Sequence, residues 1–293
     1  MEPLPESLVG RAFSVREAAV EGVAVSRLRR KGLVTPFRGV RAPADGERDL
    51  ESLCRAYVER MAEDQYFSHL TAARLHGFWL PSRFQLGEPI HVSVTDTARA
   101  PRIPGVVGHH VDPDRAAWTW LDGLPVAVPL EAARMLAPAL SIEALVVVLD
   151  SLRQRSGRLV SEPELLYMLA KHGGQRGVRK LRAAFALSRE GSASAKETTL
   201  RRGVVRAGLP EPEVNALISR PGEPERYGDL VWRRWRVVAE YEGVQHQSDR
   251  GTYVGDITRF EELSPEWSFV RVTKEHLADF RAIAVRILRA RRQ

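Results

Sequence analysis

Hydrophobic positions in the last third of the chain change period several times, and each change marks an element. Residues 227–232, YGDLVW, and 235–243, WRVVAEYEG, are short apolar β-rich runs separated by Arg233 and Arg234. They predict two strands joined by a tight two-residue turn. If Trp232 pairs with Trp235, Asp229 lies opposite Val238 and diagonal to Glu240. Glu242 then shares the Glu240 face, because strand side chains alternate. A helix starting at about Asp249 and a strand in WSFVRVT follow. Strand, helix and strand in that order predict a right-handed crossover between parallel strands. Leu277, Phe280, Ala284, Ile287 and Leu288 recur at helical spacing and predict a closing helix. Upstream, SASAKETTLRRGVVRAGLP predicts a helix opened by Ser194 and stopped near Gly208, Leu209 and Pro210.

At the N-terminus, Ser14 and Glu17 have capping-box spacing before a short helix ending around Gly22. A second helix carrying Arg27, Arg29, Arg30 and Lys31 is expected before Gly32, with a small β-wing in PFRGVRA. Between these ends, the pattern predicts helices over Leu50–Ala62, Thr71–His76, LEAARMLA, LSIEALVVVLDSLRQR, EPELLYMLAKHGG and VRKLRAAFALS. Ile90–Val94 reads as a strand, and RAPRIPGVVGHHV as a proline-punctuated loop and strand. Phe78 and Trp79 read as core aromatics. Gly173–Gly177 lacks both a preceding strand and a following Lys-Ser/Thr, so it is not a phosphate loop.

Three carboxylates on one hairpin have two readings. Asp229, Glu240 and Glu242 repel one another unless protonated or bound to a cation, and oxygen donors suit a hard ion such as Mg2+. The alternative is a solvated edge hairpin whose acids pair with neighbouring arginines. Glu197 is open in the same way, as a site residue or as the partner of Ser194 in a second capping box.

The order helix, hairpin, helix, strand, helix, with acids on the first helix and the hairpin, resembles the PD-(D/E)XK nuclease fold. More narrowly, KETTLRR, AGLPEPEVN, GDLVW, VVAEYEG, His246, Asp256 with Arg259, and FVRVT resemble a family of bacterial domains similar to very-short-patch-repair endonucleases. The resemblance implies that Asp229 and Glu240 bind Mg2+ or Mn2+ through their side chains and Tyr241 through its carbonyl. Glu197 then lies behind the site, and His246 is the nearest general base. The wider superfamily places a lysine where this chain has Glu242, so binding without cleavage stays open beside hydrolysis.

Residues 13–43, with YFSHLTAARLHGFWLP, IHVSV and GLPVAVPLEAARMLA, resemble AbiEi-family antitoxins of type IV toxin–antitoxin systems. That likeness implies a winged helix-turn-helix that binds DNA, with Ser26, Arg27, Arg29, Arg30 and Lys31 in or near the major groove and Arg38 and Arg41 on the wing. A cognate toxin or self-association would supply further partners.

Net charge of +7 and a pI of about 9.9 favour a polyanionic partner. Five arginines in the last thirteen residues add to this. Cys54 is the only cysteine, which excludes a disulfide framework, and no apolar run is long enough to cross a membrane. The start has no secretory pattern, so a cytoplasmic protein is expected. His69, His76, His91, His109 and His110 lack zinc-ligand spacing and read as structural or surface residues. The expected organisation is an α+β or α/β multidomain chain. It has a winged helix-turn-helix at 1–46, a mixed α/β middle at 47–190 and a restriction-endonuclease-like α/β domain at 191–293. The readings that remain are a metal-dependent DNA endonuclease, a DNA-binding antitoxin or repressor with a non-catalytic nuclease-like domain, and a scaffold without metal.

Overall fold

A computed structural model describes residues 3–95, 99–154, 157, 159–242 and 266–291. The chain is mixed α and β and divides into two compact units, Met1–Ala139 and Leu140–Gln293. That division differs from the three expected segments, because the helices after Leu140 belong with the C-terminal sheet. None of the described helices is long and apolar enough to cross a membrane.

The first unit opens on strand β1 (Phe13–Ser14) and helix α1 (Val15–Val20). Ser14 caps α1 by accepting the Glu17 amide at 3.0 Å. The Glu17 carboxylate also pairs with Arg11. Strands β2 (Leu33–Val34) and β3 (Val40–Pro43) pair antiparallel, and β3 also pairs with β1. Leu8, Phe13, Ala18 and Leu28 are buried together beneath them. The expected second helix does not form. Only Arg27–Arg29 make one 3-10 turn, and Arg30 is already extended. Two β-branched valines at 23 and 25 precede it, Gly32 follows with φ 99°, and Leu28 is the one fully buried side chain between them.

Helix α2 (Leu50–Val58) ends a turn short of Ala62 and is opened by an Asp49–Ser52 capping box. After it come strand β4 (Gln65–Phe67), helix α3 (His69–Leu75), and strands β5 (Ile90–Thr95), β6 (Val106–Val111), β7 (Trp118–Leu121) and β8 (Leu124–Ala127). They form one sheet in the order β6-β5-β4-β8-β7, with β5–β6 and β4–β8 parallel. Helix α4 (Pro129–Leu136) completes the unit, and Phe78 is buried as expected of a core aromatic.

The second unit contains helices α5 (Ile142–Leu152), α6 (Glu162–Lys171), α7 (Val178–Leu187) and α8 (Ala195–Arg206). Strands β9 (Glu213–Leu217), β10 (Tyr227–Trp232), β11 (Val237–Tyr241) and β12 (Ser268–Val272) form a sheet in the order β12-β11-β10-β9, and helix α9 (Phe280–Ala290) closes the unit. β11 and β12 pair in parallel, as expected. Leu200 and Val204 of α8 and Ile283, Ala284 and Ile287 of α9 pack with Leu230, Trp232, Val237, Ala239, Val270 and Val272 on one face of this sheet. Leu288, expected in that apolar stripe, is instead exposed. Where the helices meet, a Cβ on Gly203 would lie 2.1 Å from the Phe280 ring, so glycine alone lets them approach. The opposite face carries a smaller cluster of Ile218, Val231, Val238 and Trp267.

Candidate functional site

The hairpin register differs from the expected one by two residues, and the difference builds the site. Trp232 faces Val237, Val231 faces Val238 and Leu230 faces Ala239. Trp232 and Trp235 still stack, with ring centroids 6.2 Å apart, but they are not strand partners. A two-residue hairpin turn demands positive φ at its central positions, which Arg233 and Arg234 disfavour. Arg233–Trp235 form a 3-10 turn instead, and the reversal is closed by Arg236 at φ 54°. The next rung then sets Asp229 across from Glu240 rather than Val238.

At that rung the β10–β11 ladder gives way to a side-chain contact. The Tyr241 amide donates to Asp229 Oδ2 at 2.8 Å, so one carboxylate oxygen is oriented by the partner strand. Gly228 lies beside it, where a Cβ would come within 2.5 Å of Val238 Cγ1. Both acidic residues are half-buried, and β10 and β11 are the two interior strands of the sheet, so the hairpin does not lie at its edge.

Glu240 is in register with Arg271 on β12, and Arg271 Nε lies 3.1 Å from Glu242 Oε1. Alternation therefore places Glu242 on the Glu240 face, with its charge answered by an arginine. Glu197 is buried on α8, and its oxygens accept the Ala193 amide at 2.8 Å, the Ser194 hydroxyl at 2.9 Å and the Asn215 side-chain amide at 3.1 Å. The capping reading of Glu197 fits these bonds, although its amide partner is Ala193 rather than Ser194. His246, Asp256, Arg259 and the helix expected from Asp249 lie outside the described residues.

For the N-terminal basic set, Ser26, Arg29, Arg30, Lys31 and Arg38 are exposed around the 3-10 turn and the β2–β3 connection, and Arg27 is half-buried. Arg41, on β3, is half-buried. Its guanidinium donates to the Leu28 carbonyl and to the Val40 carbonyl, each at 2.9 Å, and so ties the turn to β3.

Sequence spacing passed over a different cluster. Among the described residues, His69, His91 and His109 are the one group of three or more His, Cys, Asp or Glu side chains whose ligand atoms converge, all within 4.8 Å of one another. Ser93 pairs with His109 across β5 and β6, so His91, two residues before Ser93, lies on the same face. His69 opens α3 at φ 49°, and Ser68 holds it through its amide to the His91 carbonyl at 3.0 Å. His91 Nδ1 is 2.9 Å from His109 Nε2, and the His69 and His109 rings stack with centroids 3.7 Å apart. Burial, with repulsion between the rings, lowers His69 to about 3 and His91 to about 4, and burial also lowers His109.

No family model matches this chain. Two proteins of Mycobacterium tuberculosis, the uncharacterised proteins MT2308 and Rv2248, are each 26% identical over 149 residues, 50% of this chain and 53% of theirs. The chain thus spans about half the length of the curated relatives it matches. The crystal structure of the Rv2827c protein from the same organism is similar with a TM-score of 0.40 at 17% identity, over 61% of this chain and 77% of that one. At that level the likeness carries no argument about function.

Proposed function

We propose that this is a DNA-binding protein whose C-terminal segment, 191–293, hydrolyses DNA phosphodiester bonds with Mg2+ or Mn2+ at Asp229 and Glu240. The observation that carries this reading is the register, which brings Asp229 and Glu240 to facing positions where β10 and β11 stop pairing as a regular ladder. The donor set fits a hard cation, because two carboxylates with water completing the shell is how Mg2+ is commonly held. A bound metal of this kind neutralises phosphate charge and lowers the pKa of a coordinated water. The Tyr241 amide fixes the orientation of Asp229, and Arg271 offsets the charge of Glu242. His246 is the general base that the nuclease resemblance implies, and the Tyr241 carbonyl is the third ligand it implies. DNA would be gathered by Arg29, Arg30, Lys31 and Arg38 around the N-terminal 3-10 turn and the β2–β3 connection, with Ser26 and Arg27 beside them.

One observation favours a second reading. The position where the superfamily keeps a lysine holds Glu242, and that carboxylate is bound to Arg271. An AbiEi-like cytoplasmic antitoxin or repressor, with a nuclease-like domain that binds but does not cut, is the alternative, and a cognate toxin or a second copy would be its partner.

Incubation of supercoiled, linear and mismatched DNA with Mg2+ or Mn2+ separates the two. Nicking that is lost in both Asp229→Ala and Glu240→Ala, by at least about 100-fold, supports the nuclease. Salt-sensitive DNA binding without nicking by the unaltered chain overturns it in favour of the regulator.

A further inference from the structure

We infer that His69, His91 and His109 form a site for a borderline-soft divalent cation of the Zn2+ class in the first unit, separate from the carboxylates of the second. Three elements supply one imidazole each: the start of α3, the beginning of β5 and the middle of β6. Convergence of three nitrogen donors within 4.8 Å is the ligand count of a site that leaves its fourth position to water.

The distances suit such an ion. Nitrogens bound at about 2.0–2.1 Å to a tetrahedral centre are about 3.3 Å apart. His91 Nδ1 and His109 Nε2 stand 2.9 Å apart, so an opening of about 0.4 Å admits the metal. Each ring is half-buried, which leaves room for the water ligand.

The surroundings hold the ligands in place. Ser68 Oγ lies 3.0 Å from His69 Nδ1, which orients the ring and points its Nε2 as the donor. The His91 amide is tied to Thr71 Oγ1 at 2.8 Å, fixing β5 against α3. His69 keeps a left-handed backbone conformation that a non-glycine residue adopts at a cost, and at functional positions such strain is retained by the surrounding structure. The nearest arginines are answered by carboxylates of their own, Arg74 by Glu88 at 2.7 Å and Arg134 by Glu131. The cation would therefore not meet unscreened positive charge.

Donor type sets the selectivity. Three imidazoles with no carboxylate or thiolate among them favour Zn2+, Cu2+, Ni2+ or Co2+ over Mg2+, Mn2+ or Ca2+.

The full chain, stripped with chelator, is titrated with Zn2+ by calorimetry and with Co2+ by visible absorption. One equivalent should bind. Affinity should fall at least about tenfold in His69→Ala, His91→Ala and His109→Ala, and stay unchanged in His76→Ala, His110→Ala and His246→Ala. X-ray absorption of the zinc-loaded unaltered chain gives a readout that needs no variant, and should show three imidazole neighbours. Absence of zinc binding, a shell with fewer than three imidazoles, or equal affinity in all six variants overturns the site. Loss in His246→Ala alone would assign the zinc to the C-terminal segment and overturn it as well.

Discussion

Asp150 and Arg201 offer the sharpest test of how the second unit is held together. Both side chains are fully buried, with Arg201 Nη2 3.0 Å from Asp150 Oδ2. Asp150 also accepts the Arg189 amide at 2.8 Å and the Thr198 hydroxyl at 2.9 Å, so its charge is answered by three donors. Arg201 reaches the Leu187 carbonyl at 3.1 Å and Glu211 as well. Desolvation raises the Asp150 pKa, while Arg201 and the two hydrogen bonds oppose it. Asp150→Ala removes the buried counter-charge and leaves the guanidinium with the more exposed Glu211, which should cost about 3–5 kcal/mol. That corresponds to a fall in Tm on the order of 10 °C. Replacing both partners with apolar side chains, as in Asp150→Leu with Arg201→Met, removes the uncompensated charge and should recover most of the loss. Urea unfolding followed by circular dichroism measures all three variants. A cost below about 1 kcal/mol for Asp150→Ala, or a double variant less stable than the single, would refute the view that α5 and α8 are joined by a desolvated charge pair.

Two further outcomes follow from packing and from burial. Gly203→Ala gains helix propensity of up to about 1 kcal/mol but drives a methyl into Phe280, so it should destabilise by about 1–2 kcal/mol, and Phe280→Leu should relieve it in the double variant. Differential scanning calorimetry decides the sign. In chelator-treated protein, His69 at about 3, His91 at about 4 and the half-buried His76 all titrate lower in the folded state than the ordinary histidine value near 6.5. The unfolded chain therefore binds more protons in the window between these values. The stability these groups contribute is fully present above about pH 6.5 and is lost progressively as pH falls from there through the folded values of about 4 and 3. Urea midpoints should drop between about pH 7 and 5, and a flat profile would contradict the burial of these rings.

The parts of the structure that local chemistry controls were legible in the sequence. Ser14 and Ser194 cap the helices they precede, and Phe280, Ala284 and Ile287 of α9 follow helical spacing. The parallel β11–β12 pair is the one that the expected crossover calls for. Features set by turns or by distant partners were not legible. Two adjacent arginines suggest a minimal turn, yet their reluctance to take positive φ lengthens it by two residues and moves every cross-strand pair. A run of basic residues suggests a helix, yet one buried leucine and a following glycine allow only a single 3-10 turn. Strands as short as β4 and β8 carry too few residues for a period to show, and they become strands because β5 and β7 pair with them.

The three histidines show why spacing is a weak guide to ligands in a sheet. Zinc spacing is recognisable when ligands share a turn or a knuckle, because the local backbone then sets their separation. Here the separations between His69, His91 and His109 are lengths of intervening loop and strand, which carry no trace of the site. What joins them is parallel pairing of β5 with β6 and the strained entry of α3 across that face. The same reasoning separates the two candidate centres by chemistry. Asp229 and Glu240 offer oxygen to a hard ion, whereas the histidines offer only nitrogen. A metal that fills one is a poor ligand match for the other, so a chain carrying both would respond to Mg2+ and Zn2+ through different units.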